Sequence, residues 1–450
     1  MEAGARRAYA GVAGDRLPLQ LLAAMILPFA LDFRADTSGG GALVQGALLV
    51  VHLAAFAVFL RRYVRMLPPT PGLGPLVFAC TFFIVEAAVV ALLRGQPAYS
   101  VMVNTVPVFL YISTAYATAA TLRLSPSPFV FARLLAWLCL AFLLGRVAII
   151  ALMDGIDPAT VRYEILSGAA IAALGLAPVA VLARMTRVEA ALLILNLGIV
   201  LASVTRTLLV AGAAQLLALL PSILPLARSR FGRRRVLALA CLPLVVVVID
   251  LTAGTGFSER WLHRLLVASQ LGIDPTSLTR IAEVDFMKSA LTASAGTLLF
   301  GNGLAAETSR IGPAALLAGL TLGWHHVEVH AIGFGHHNHW SLLFIGGLVA
   351  GLPLLLVQFH QGAGALLFLA RHPRQATRTR EQLRKLGLWG ATIIIGTLAY
   401  GFFAAPLGDR GTALWYGIGT GLTLGAHQLL RANAARTVSV QDGAGQPSAT

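Results

Sequence analysis

Charge is what this chain has least of. Only 12% of its 450 residues are Asp, Glu, Lys or Arg, about half the share of an ordinary soluble domain. With 57% apolar residues and a mean hydropathy of +0.78, this is the composition of a membrane protein. Cysteine is scarce too. Cys80, Cys139 and Cys241 all lie in apolar stretches, so there is no disulfide framework and no Cys-x-x-Cys metal site, and the three read as small hydrophobes. Lysine is nearly missing, with Lys288 and Lys385 alone among the cations that are otherwise all arginine. There is no internal repeat, which weighs against a transporter built from two related halves.

What the chain has in abundance is apolar runs of membrane-crossing length. Twelve windows are expected to span, at 17–33, 42–60, 75–93, 101–120, 129–152, 165–183, 188–203, 207–227, 236–252, 340–360, 386–404 and 412–430. Arg6, Arg7 and Arg16 precede the first in the manner of a signal peptide, but Leu31-Asp32-Phe33-Arg34 is no cleavage site, so this segment reads as an anchor. The net charge of +15 is confined to short clusters between the runs. With the N-terminus cytoplasmic, Arg61, Arg62 and Arg65, Arg123, Arg184 and Arg187, the Arg228–Arg235 cluster, the 371–385 run, and Arg431 with Arg436 all fall inside. The short outside loops are poor in cations, with Arg34, Arg94, Arg162 and Arg410. That is the positive-inside distribution, with both termini cytoplasmic, and it accounts for the basic balance without nucleic acid.

The organisation that follows is an all-α polytopic chain: an N-terminal bundle over 1–252, one long extracytoplasmic segment over 253–338, a C-terminal bundle over 339–430, and a polar, disordered tail over 431–450. Within the long segment, 257–271 places Trp261, Leu262, Leu265 and Leu266 opposite Glu259, Arg260 and Arg264, an amphipathic pattern suited to an interface. A second helix is expected from Pro275 to about Leu299, stopped by Phe300-Gly301-Asn302-Gly303. The run 312–322 is apolar but too short to span. Apolar character persists from Ser341 to Ala370, consistent with either a long helix or a break at Gly362–Gly364.

The ionisable residues concentrate in and around that segment. His325, His326, His330, His336, His337 and His339 are six of the chain's eleven histidines. As a metal site the block is incomplete: His326 and His330 share an i,i+4 face, but the order is His-Val-Glu-Val-His and no Asp or Cys follows. As a general base, a histidine suits a hydroxyl acceptor at neutral pH. As structure, the first three also suit interfacial packing. Arg206 falls where two apolar runs meet, with only Ser203, Val204 and Thr205 as relief; it reads either as an anion ligand for a diphosphate or as a snorkelling side chain. Arg280 is a second such fork or simply the partner of Glu283 and Asp285 on a solvated helix face. Arg310 and Arg146 are weaker candidates, Arg146 for an outer cavity.

In order along the chain, Ser203-x-Thr205-Arg206, Arg280, Leu299-Phe300-Gly301-Asn302-Gly303-Leu304 and His337-Asn338-His339-Trp340, with Gly346, Gly347 and Gly351 behind, resemble the O-antigen ligase superfamily, which includes O-antigen and exopolysaccharide polymerases. Specific motifs cover roughly 190–355. One long periplasmic loop between the ninth and tenth spans favours the ligase branch. The resemblance implies a GT-C-like membrane glycosyltransferase of the bacterial inner membrane. Its donor would be a glycan on undecaprenyl diphosphate, its acceptor lipid A core or a growing glycan, and its chemistry inverting, with no metal and no cofactor. It places Arg206 and Arg280 on the diphosphate and His337, with His339 second, at the acceptor hydroxyl. Asn338, Ser203, Thr205, Gly301, Gly303 and Arg310 then support the site. After Gly303 this chain reads Leu-Ala-Ala where a further glycine is frequent in the superfamily, which implies a stiffer loop. The alternatives are polymerisation with the same donor and, from another class, transport of lipid-linked sugars.

Overall fold

The computed structural model describes residues 16–32, 40–66, 69–153, 168–203, 205–254, 256, 258–259, 261–262, 266, 275–328, 331–371 and 377–444. Helix accounts for 84% of the structure. In chain order the elements are α1 (Leu17–Ile26, continued by a 3-10 turn over Leu27–Leu31), α2 (Gly40–Tyr63), α3 (Leu73–Leu93), α4 (Ala98–Leu124), α5 (Pro128–Met153), α6 (Gly168–Leu182), α7 (Arg187–Ser203), α8 (Arg206–Ala227) and α9 (Arg230–Ala253). Then come α10 (Pro275–Thr292), α11 (Ala295–Phe300), β1 (Glu307–Thr308), α12 (Gly312–Leu322), β2 (Ala331–Ile332), α13 (Asn338–Gly346), a π turn over Gly347–Gly351, α14 (Leu352–Arg371), α15 (Arg378–Tyr400) and α16 (Arg410–Ala444). Every expected window therefore contains helix. Among the described residues six stretches, 44–63, 73–93, 98–124, 128–148, 206–226 and 338–371, are long and apolar enough to cross a membrane by length and composition.

The bundle is held by close backbone approach and by polar ties between helices, since two apolar helices gain little from meeting in an apolar solvent. Gly417 and Gly421 of α16 lie so near α4 that a Cβ would collide with Thr114 and with the Ala115 carbonyl. Tyr111 donates to Gln361 at 2.5 Å, joining α4 to α14. Gln215 of α8 donates to the carbonyls of Ile171 and Thr392 at 2.9 and 3.1 Å. At the end of the bundle away from the long segment, Lys385 pairs with Glu189 at 2.5 Å and donates to the Arg184 carbonyl at 2.9 Å.

Several details differ from the sequence reading. The second loop helix ends at Thr292, not near Leu299. Ser294 and Thr297 form a reciprocal capping box that starts the separate short helix α11. The segment from Ser341 to Ala370 breaks early, at the π turn, and then runs unbroken past Gly362 to Arg371. The tail is helical to Ala444, because 431–442 holds no glycine or proline to end α16. A two-residue antiparallel ladder, Glu307 opposite Ile332 and Thr308 opposite Ala331, is the only strand pairing among the described residues. Most of the expected amphipathic helix at 257–271 lies outside the described residues.

Candidate functional site

The Phe300–Leu304 turn is a clamp between the loop and the bundle. Asn302 and Gly303 donate their backbone N–H groups to the carbonyls of Phe344 and Ile345 at 2.7 and 2.9 Å, and Leu304 donates to Ala87 of α3 at 2.9 Å. Arg94 donates to Asn302 Oδ1 and to the Gly301 carbonyl at 2.7 and 3.0 Å. Gly301 and Gly303 have φ of 67° and 83°, and a Cβ at either would strike backbone, of Ile345 or of Ala91. Both glycines are therefore required by chain geometry. Ala305 takes φ 65° without being glycine, next to where the resemblance leads one to expect a further glycine.

From this clamp α10 is laid across the start of α13. Lys288 sits 5.0 Å over the Trp340 ring and Phe286 packs 6.0 Å from Phe344. The inward face of α10 carries Leu278, Ala282, Met287 and Leu291 at helical spacing, and Glu283 falls on the same face. Its carboxylate is only 2% exposed and is spent on one neighbour. Oε1 accepts the His336 backbone N–H at 2.8 Å, and Oε2 lies 2.8 Å from His336 Nδ1. Gly335 makes this possible, because a Cβ there would overlap Glu283 Oε1. Burial pushes the Glu283 carboxyl up, but the His336 ring and backbone bonds and the charges of His336 and Arg310 outweigh it and hold the group below its ordinary value of 4.5. An ionised Glu283 accepts Nδ1–H, so in the neutral imidazole His336 Nε2 is the bare acceptor, on a side chain that is 49% exposed.

His337 is half-buried at the N-cap of α13. Its Nε2 is buried without a hydrogen-bond partner. Burial holds the ring below the ordinary imidazole value; Glu283 and a hydrogen bond to the Phe402 carbonyl pull upward, while the charges of Arg280 and His336 push down with burial. Asn338 is a structural lock. Its backbone N–H lies 3.0 and 3.1 Å from the Gly401 and Ala404 carbonyls, its Nδ2 donates to Gln358 at 3.1 Å, and its Oδ1 accepts from Leu407 at 3.3 Å. His339 is buried between Phe359 and Phe402, with ring centroids 5.2 and 4.5 Å away.

Of the remaining expected site residues, Arg280 and Arg310 lie close enough to the histidine–glutamate group for their charges to act on it. Arg206 is the half-buried first residue of α8. The far end of α8 leads into α9, whose Arg235 reaches the Val181 carbonyl at 3.3 Å, near Lys385. Its N-terminus therefore emerges at the loop end, ~13 Å beyond Gln215. Ser203 and Thr205 are buried there, but their hydroxyls donate to the carbonyls of Val200 and Ser203, both at 3.0 Å. They shape the junction.

The chain matches no family model and no curated protein. The site is therefore described by its own chemistry: a buried carboxylate orienting an accessible imidazole, a second imidazole beside it, and arginines at the same end of an apolar bundle. Among the described residues no group of three or more His, Cys, Asp or Glu is placed to hold a metal, and the His326 and His330 side chains lie outside that description. From the sequence, Glu283 reads only as a neighbour of Arg280, and His337 and His339 rank ahead of His336. The available signal was an acidic residue at i+3 from a candidate arginine, facing the buried side of its helix.

Proposed function

We propose that this chain is a glycosyltransferase of the bacterial inner membrane, with twelve spans, cytoplasmic termini and a periplasmic site. It moves a glycan from undecaprenyl diphosphate to lipid A core, in the manner of the ligase branch it resembles, by metal-independent inversion. The observation that carries this reading is the Glu283–His336 pair, set beside His337 and Arg280 at the end of the bundle where α8 presents Arg206. A carboxylate that fixes an imidazole's tautomer and leaves its other nitrogen open is the arrangement needed to take a proton from a hydroxyl.

In this proposal the acceptor hydroxyl gives its proton to His336 Nε2 while its oxygen attacks the anomeric carbon from the face opposite the diphosphate. The bond from that carbon to the phosphate oxygen breaks, and its electron pair stays on the diphosphate. Arg206, at a helix N-terminus, and Arg280 neutralise the charge that builds there. His337, held neutral by burial, orients the acceptor. We place the base at His336 in preference to His337 because Glu283 orients the former. His339, packed between two phenylalanines, takes a supporting part.

The test is transfer by purified protein from a polyprenyl-diphosphate glycan to lipid A core, in EDTA. Transfer by wild type, lost in Arg206→Ala and in His336→Ala, is the expected result. Extension of the lipid-linked glycan itself in place of transfer to core would make the protein a polymerase. Movement of intact donor across vesicles without transfer would make it a transporter.

A further inference from the structure

A second polar site lies at the loop end, on the opposite side of the 331–335 segment from the histidines. A cavity of about 250 Å³ is enclosed by α1, α2, α4, α5 and the turn before α16, and its polar lining is Asp32, Gln45, Asn104, Arg146, Asp409 and Arg410. Its volume matches roughly eight waters, which is room for one pyranose ring. It adjoins the site already described. Gly333 is pressed against the Asn104 side chain and Gly408 against Phe334, so one layer of residues separates the cavity from His336 and His337.

Arg146 is the anomaly in this lining. It is 5% exposed, no hydrogen bond or ion pair of its side chain is found among the described residues, and its Nε is buried without a partner. A buried guanidinium left in this state costs several kcal/mol unless something in the cavity accepts its hydrogen bonds. The other charged groups are engaged. Arg410 Nε meets Asp32 Oδ2 at 3.0 Å, and Asp409 Oδ1 caps α16 by accepting from the Thr412 backbone and hydroxyl at 2.7 and 2.6 Å.

The balance of the lining decides the ligand's chemistry. Arg146 and Arg410 are offset by Asp32 and Asp409, so the formal charge is zero. An anion drawn to Arg146 would face two carboxylates. A hydroxyl accepts from the guanidinium and donates to a carboxylate or to the amide oxygens of Asn104 and Gln45. Planar forks of this kind match adjacent hydroxyls on a ring. We propose that this cavity is a subsite for one uncharged sugar ring, with Arg146 as its principal donor. It rests on the glycan-transfer reading only for which glycan, donor or acceptor, supplies the ring; binding itself needs no transfer.

Saturation-transfer NMR on the purified full chain tests it, using a panel of methyl glycosides (galactoside, glucoside, mannoside, rhamnoside and N-acetylglucosaminide), glucuronate and inorganic phosphate as probes. At least one neutral glycoside is expected to give a saturable signal that inorganic phosphate does not displace. That signal should fall at least severalfold in Arg146→Met and in Gln45→Ala. Gln45 is half-exposed, so its variant keeps the test valid if Arg146→Met fails to fold. No glycoside signal above detergent alone, or one indifferent to Gln45→Ala and to any folded Arg146 variant, overturns the proposal. Preferential binding of glucuronate or phosphate overturns it in favour of an anion site. Glycoside binding by a protein that transfers nothing would sustain this subsite and remove the enzyme reading.

Discussion

Two of the buried carboxylates that answer a cationic or imidazole partner, Glu189 and Glu283, lie at opposite ends of the same bundle and differ in one respect. Glu189 and Lys385 are both sealed, with side chains 2% and 5% exposed, and a backbone carbonyl takes up a further proton of the ammonium. Glu283 is equally buried, but its partner His336 is half open. A closed pair has all its donors spent and fixes helices in register. An open pair keeps a nitrogen in reserve, held in a defined tautomer. Burial of the carboxylate alone therefore does not mark a site; the exposure of its partner does.

The comparison can be broken at either end. The largest effect is expected at the open pair, where His336→Ala should lower kcat/KM for glycan transfer by about 10²–10⁴-fold while leaving the thermal unfolding midpoint nearly in place. A large loss of stability with little loss of rate would reverse the assignment. At the sealed pair, Lys385→Met should cost ~3–5 kcal/mol of stability in detergent by stranding Glu189, and the Glu189→Gln, Lys385→Met double variant should recover part of it. A folded, stable Lys385→Met protein that cannot transfer would mean the inner pair is functional as well. The smallest effect sharpens the clamp that holds the open pair in place. Ala305→Gly should stabilise by about 1 kcal/mol, because it relieves a left-handed alanine, read as a rise in the unfolding midpoint.

The helices were legible because apolar run length is a one-dimensional signal. All twelve windows hold helix, and the glycine turn at 301–303 appears where its composition places it. The early break at Gly347 was not legible. It arises because the turn carbonyls of Phe344 and Ile345 are taken up by a loop segment some forty residues earlier. The same limit applied at the site. Arg280 and His337 stood out as residue types in unusual places, whereas the worth of Glu283 depends on Gly335 leaving space for its carboxylate beneath His336, a contact across 53 positions of chain. Asn338 was expected to support the site, and its hydrogen bonds tie α13 to the turn that follows α15, a contact the sequence does not show.

The pH dependence of kcat/KM in wild type and Glu283→Gln tests the central claim most directly. A histidine acting as base is inactive when protonated, so the rate falls on the acid side. Losing the carboxylate that fixes the His336 tautomer should lower the plateau by roughly 10–100-fold. The same carboxylate contributes stability above its ordinary range that is lost as pH falls through its depressed value, so the profile is to be read only where the wild type stays folded. An unchanged plateau would show that the Glu283–His336 pair takes no part in the reaction.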